Sequence, residues 1–290
     1  MKKIILIVTL PLFIMAKPVH IDEILTQSNS FKLDMSVSYA NIQRSNGVSS
    51  PYTYQTQNGD FVSVPTYFGE ANSNQDYLNY AFTLRYGLTK DLELFTSANL
   101  YSSKIYSSIG NIFEDDSTRG FNALNFGFTY QVKSEDDTPS LLLGLSTNAL
   151  EDTTFERGIL TSNFKGYRVF ATSFYTVDPV VFLLNASYGV NLEKEFKENS
   201  IENGNILTLS PQVYFAVNPY TSLNWGVKYT HYGESIIDGS QVSNSGSNVS
   251  FLMGVSYEFS AKTFFNVNAE YFTTNDVTQS NISTTFSYKF

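Results

Sequence analysis

Cysteine is absent from this chain of 290 residues, tryptophan occurs once, histidine twice, and no apolar run reaches helix-spanning length. Each shortage removes a class of protein. Without cysteine there is no disulfide scaffold, so stability rests on backbone pairing and packing. Two histidines, His20 and His231, leave little material for a Ser/His/Asp device or a Cys/His metal cluster. The sequence also lacks a glycine-rich phosphate loop and a nucleophile elbow, so neither catalysis nor a cofactor is expected. Basic residues are scarce: 18 Lys and Arg face 27 Asp and Glu, a formal charge of −9. A nucleic-acid partner, which would require a basic stripe, is excluded on that balance.

What the chain has in quantity is tyrosine and phenylalanine, 20 and 24 residues. Asn, Ser and Thr are abundant beside them. Such a mixture suits strands that turn rings toward a membrane interface and hydroxyls or amides toward water. The last strand has this pattern in plain form. Period-2 alternation puts Ile282, Thr284, Phe286, Tyr288 and Phe290 on one face and Ser283, Thr285, Ser287 and Lys289 on the other. At the opposite end, Lys2 and Lys3 precede a run from Ile4 to Met15, broken by Thr9 and Pro11, and Ala16 offers a small residue for cleavage. Residues 1–16 therefore read as a secretory signal peptide, too short to span a bilayer as a helix of about 20 residues. Its removal takes away two lysines and moves the formal charge from −9 to −11. A mean hydropathy of −0.14 would ordinarily suit a soluble protein, but a membrane barrel needs only every second strand residue to be apolar.

Twelve segments carry the alternation, each of the roughly 9–11 residues that a tilted transmembrane strand requires. They fall near 31–41, 77–88, 91–102, 121–132, 140–150, 167–177, 180–191, 206–217, 222–232, 248–259, 263–272 and 281–290. The clearest sets Leu78, Tyr80, Phe82, Leu84, Tyr86 and Leu88 against Asn79, Ala81, Thr83, Arg85 and Gly87. Connection lengths supply an independent signal. Short turns at 89–90, 133–139, 178–179, 218–221 and 260–262 alternate with long polar connections at about 42–76, 103–120, 151–166, 192–205, 233–247 and 273–280. That alternation marks a transmembrane up-and-down antiparallel β-barrel with periplasmic turns and extracellular loops. Residues 31–290 form this all-β barrel, and residues 17–30 precede it either as a periplasmic stub or as a plug entering from below.

With the apolar faces toward lipid, the inward charges are Lys32, Asp34, Arg85, Glu93, Arg168, Lys228, Glu258, Glu270 and Lys289, a nearly balanced set. A strongly selective porin would show rings of one sign. Arg85 and Glu93 flank the turn at Thr89, where an odd-length connection would set them opposite each other as a cross-strand pair. The interior of twelve strands lies between the filled eight-stranded barrel and the open channel of 16–18 strands. Inward rings such as Phe95, Phe170, Phe174 and Tyr214 restrict it further, as space fillers or as a track for an apolar solute. The lumen-lining candidates are thus Arg85, Glu93, Phe95, Arg168, Phe170, Phe174, Tyr214, Lys228, Glu258 and Glu270. His231 shares parity with Trp225 and Tyr229 and falls on the lipid face near the outer rim. Acidic clusters in the loops, among them Asp115, Asp116, Glu151, Asp152, Glu193 and Glu195, lack EF-hand spacing. They read as a solvated rim associated through divalent cations with lipopolysaccharide, with no specific metal site.

Three strings resemble an outer-membrane transporter family of the MetA-pathway phenol-degradation type: YGLTKDLEL at 86–94, VDPVVFLLNASYGVN at 177–191 and AVNPYTSLNWGV at 216–227. The ending on Phe290 likewise resembles the export signal of Gram-negative outer-membrane barrels, which implies the barrel-assembly machinery as a partner. The resemblance implies outer-membrane location in a Gram-negative cell and passive passage of small, often aromatic, solutes. It hands over no catalytic or binding residue. The competing expectation is a closed barrel whose Ser- and Asn-rich loops at 42–76 and 233–247 serve adhesion or surface structure.

Overall fold

The computed structural model describes residues 25–45, 52–55, 61–64, 72–109, 112–155, 158–196 and 199–290. The expected signal peptide at 1–16, residues 17–24 and His20 lie outside them. Every regular element described is a β-strand. Twelve of these build the barrel: β1 (Phe31–Ser45), β2 (Asn72–Gly87), β3 (Leu92–Ile109), β4 (Ile112–Lys133), β5 (Leu141–Phe155), β6 (Gly166–Val177), β7 (Val180–Asn191), β8 (Ile206–Asn218), β9 (Thr221–Tyr232), β10 (Gly246–Ser260), β11 (Thr263–Thr273) and β12 (Val277–Lys289). Each pairs antiparallel with the next, and β12 returns to β1 with Lys289 opposite Lys32 and Val277 opposite Arg44. Closure removes both sheet edges, the condition for strands to cross a bilayer without unsatisfied backbone groups. The seam is sealed at its end by the Phe290 amide, which donates to the Phe31 carbonyl at 2.9 Å.

The alternation read from sequence is a solvation pattern with the expected sense. Met35, Val37, Tyr39, Tyr80, Phe82, Leu84, Phe126, Phe128 and Tyr130 stand exposed on the outside, while Asp34, Ser36, Asn79, Thr83, Ser97 and Asn99 are buried within. In a soluble protein that distribution would be inverted. Here the apolar rows face the lipid and the polar rows the interior.

Strands outrun their expected ends on the long-connection side. β3 and β4 continue as a paired ribbon through Ser102 opposite Arg119 and Lys104 opposite Ser117 to Ile109 opposite Ile112. The connection expected over 103–120 is therefore mostly strand. β5 reaches Phe155 and pairs there with Gly158–Ser162, and only residues 274–276 separate β11 from β12. Ladder hydrogen bonds need no apolar face outside the membrane, so these polar extensions carry no period-2 hydrophobic signal. Beyond β7 and β9, the segments Lys194–Phe196, Asn199–Glu202, Ser235–Ile237 and Ser240–Ser243 pair into a four-stranded sheet. Lys194 ties it to β5 by an ion pair with Glu151 at 2.6 Å.

Two apolar clusters lie inside the barrel. At the long-connection end are Ala40, Ile42, Tyr77, Tyr101, Phe272 and Val277. At the short-turn end Leu142, Phe174 and Val181 pack with Leu183, Tyr214 and Leu25.

Candidate functional site

Two sets of charges on the inner wall form neutral groups. Arg85 on β2 donates through Nε to Asp34 on β1 at 2.9 Å and through Nη1 to Glu93 on β3 at 2.7 Å. Lys32 stands 3.7 Å from the same Asp34, and the Ser287 hydroxyl donates to it at 2.5 Å. Two cations and two carboxylates thus neutralise one another in a patch whose Arg85 is 3% and Glu93 0% exposed. A guanidinium fork is the side chain suited to bridging two carboxylates in this way. A second pair joins Lys228 on β9 to Glu270 on β11 at 2.5 Å, across the inner face of β10. The expectation that Arg85 and Glu93 sit opposite each other is corrected by the register. Arg85 faces Phe95 and Glu93 faces Gly87, because the turn between β2 and β3 spans four residues, 88–91. The long arginine side chain makes up the diagonal offset, and its guanidinium carbon also lies 5.4 Å from the Phe95 ring centre.

The inward rings lie against the wall. A Cβ on Gly127 of β4 would strike the Phe95 ring, and one on Gly144 of β5 would strike the Phe170 ring. Each phenylalanine therefore rests on a glycine of a neighbouring strand, a close approach that a side chain there would forbid. The two rings are neighbours, their centroids 6.3 Å apart at 49°. Phe174 and Tyr214 instead join the apolar cluster at the short-turn end. Arg168 and Phe170 on β6 and Leu252, Ser256 and Glu258 on β10 keep partial exposure on the inner face, whereas the inward residues of β1 to β3 are nearly all buried. The packed inner rows of β1 to β3 thus contrast with the partly exposed inner residues of β6 and β10.

The segment ahead of β1 enters this wall. Glu93 accepts from the amide and the hydroxyl of Thr26 at 2.7 and 2.6 Å, while the adjacent Leu25 packs with the cluster of β5, β6 and β7. Gly87 provides the clearance, since a Cβ there would strike the carbonyl oxygens of Thr26 and Gln27.

One inward charge was missed in the sequence. Arg44, at the long-connection end of β1, is 4% exposed, and its Nη1 donates to Gln75 at 3.0 Å. With Ala40 and Ile42 on the inward face, the polar-in rule fails from position 40 onward, and the strand reads as ending at Asn41. The surviving signal is parity: Arg44 keeps the even register of Lys32 and Asp34. On the outer face, His231 Nδ1 and Ser247 Oγ are 2.9 Å apart at directly paired positions of β9 and β10. Among the described residues no carboxylate hydrogen-bonds that imidazole, so the pair lacks the orienting acid that a serine nucleophile requires.

Residues 134–290 match the family model described as outer membrane protein beta-barrel domain. A search of curated proteins finds no match. The fold is similar to the COG4313 outer membrane channel from Pseudomonas putida F1, with TM-score 0.60 and 14% identity over 91% of this chain and 96% of that one. It is also similar to the translocator domain of the autotransporter NalP from Neisseria meningitidis, with TM-score 0.57 and 7% identity over 93% and 91%.

Proposed function

This chain belongs to the outer membrane protein beta-barrel domain family, and from that premise we propose that it is a passive channel for small, apolar or aromatic solutes. The observation that carries the reading is the neutralised inner wall with its flattened rings. Phe95 and Phe170 cover Gly127 and Gly144 where wider side chains would fill the lumen. Arg85, Asp34, Glu93 and Lys32, and separately Lys228 and Glu270, cancel their charges. An interior without a ring of one sign has no electrostatic preference for ions, and aromatic faces lower the cost of admitting an apolar molecule. The resemblance to phenol-degradation transporters at 86–94, 177–191 and 216–227 favours aromatic solutes within that class. No energising step is required for downhill passage. The expected surroundings are outer-membrane lipid and lipopolysaccharide, with export through the signal peptide at 1–16 and assembly through the strand ending in Phe290.

Liposome swelling on the refolded mature chain tests the reading. Phenol and benzyl alcohol should enter protein-bearing vesicles faster than empty ones. Equal rates for every solute, together with no conductance in planar bilayers, would reject a channel and leave the loop-borne adhesive role.

A further inference from the structure

Every other buried inward cation described above has a carboxylate or an aromatic ring against it, and Arg44 has neither among the described residues. Its Nη1 is used by Gln75, whose amide nitrogen passes on to Ser103 at 2.9 Å. Its Nε and Nη2 have no hydrogen-bond partner among the described residues. The neighbouring carboxylate of Asp76 belongs to the opposite face, where it accepts from Tyr39 and Asn41. Burial of a guanidinium with two free donors is costly unless an anion completes it. A second unused donor points to the same chemistry. The Gln279 amide nitrogen on β12 is buried and has no partner among the described residues, one inward position along from Arg44 across the seam, since Gln279 pairs with Ile42 and Val277 with Arg44.

The wall around these donors is apolar and aromatic. Tyr77 and Tyr101 stack with centroids 5.8 Å apart at 8°, and Ile42, Phe272 and Val277 complete the cluster. Arg44 lies beside it by register, with Ser73 on β2 and Val277 on β12 as its paired neighbours. A planar, doubly donating head next to an aromatic surface fits a carboxylate attached to a ring.

The geometry points to a binding subsite for aromatic carboxylates at the long-connection end of the lumen, with Arg44 and Gln279 holding the carboxylate and Tyr77, Tyr101 and Phe272 the ring. It rests on the channel reading by naming one substrate class within it. Benzoate is the ligand of choice, with benzyl alcohol as the neutral ring and acetate as the acid without a ring.

The test is calorimetric titration of the refolded full barrel with these three probes, on the native chain and on Arg44→Gln. Benzoate should bind the native chain more tightly than either of the others. Loss of a charge-assisted donor pair should weaken benzoate about ten- to a hundred-fold in Arg44→Gln and leave benzyl alcohol unchanged. Gln279→Ala should weaken benzoate to a smaller degree. Benzoate binding no tighter than benzyl alcohol, or equal in native and Arg44→Gln, overturns the subsite. If Arg44→Gln does not refold, the comparison of benzoate with benzyl alcohol on the native chain decides alone. Vesicle entry of benzyl alcohol without selective benzoate binding would sink the subsite and keep the channel. Selective, Arg44-dependent binding without any solute entry would do the reverse.

Discussion

Arg85 and Glu93 meet at 2.7 Å although neither is the other's ladder partner. The ion pair is diagonal, and through it Arg85 links Asp34 on β1 to Glu93 on β3, so three consecutive strands share one buried charge system. Glu93 then hands its other oxygen to Thr26, which couples the segment ahead of β1 to the same system.

Removing one member of that system should cost more than the pair contributes. Glu93→Ala removes one of the two carboxylates that the Arg85 guanidinium bridges and the acceptor of the Thr26 donors, in a site with almost no solvent access. A loss of about 3 kcal/mol is expected, the lower end of what breaking a buried pair costs. Urea unfolding of the barrel in vesicles, followed by tryptophan fluorescence of Trp225, measures it.

On the channel reading, the glycines under the rings set the bore. Gly144→Leu should push Phe170 off the β5 wall and into the lumen, lowering single-channel conductance. Adding Phe170→Ala to the same chain should restore it, because the displaced ring and not the leucine does the blocking. Conductance traces of the three proteins separate these outcomes.

The pair Lys228 and Glu270 should govern ion preference in opposite directions. Lys228→Met leaves a carboxylate facing the interior and moves the reversal potential under a salt gradient toward cation preference. Glu270→Gln leaves an ammonium and moves it toward anions. The double variant should return near the native value, as expected for charges that act on the pore only when uncompensated.

The turn between β4 and β5 carries a pH signature. Asp136 accepts from the hydroxyl and amide of Thr138 at 2.7 and 2.8 Å and lies 3.2 Å from Lys133, and together these hold its carboxyl at about 2, below the ordinary 3.8. A folded value below the unfolded one means that the turn's stabilisation is present above about pH 4 and is lost as pH falls through about 2. Thr138→Val should raise the carboxyl toward its ordinary range, as read from the Asp136 side-chain carbon shift across an acid titration.

Much of the barrel was legible because membrane solvation writes itself into every second residue. Leu78 to Leu88 and Ile282 to Phe290 announce strand and face without any knowledge of neighbours, and the 178–179 and 218–221 turns announce where the chain reverses. The lumen candidates followed from the same parity, and the structure brings Arg85, Glu93 and Phe95 together as one group and Lys228 and Glu270 as another. Arg168 and Glu258 line the wall apart from both.

What parity could not carry depends on contacts between distant strands. Glycine has no side chain to signal a face, so nothing in positions 127 and 144 announces that Phe95 and Phe170 rest there. The ribbon of β3 and β4 past Ser102 and Arg119 is held by ladder hydrogen bonds, which are indifferent to side-chain polarity. Arg44 looked like loop because Ala40 and Ile42 interrupt the polar inner row, and only barrel closure sets it beside Gln279, more than two hundred residues away. Local chain chemistry thus determined which residues turn to lipid. Closure decided which inward groups meet, since a neighbour across the seam or the lumen leaves no mark on the periodicity of either strand.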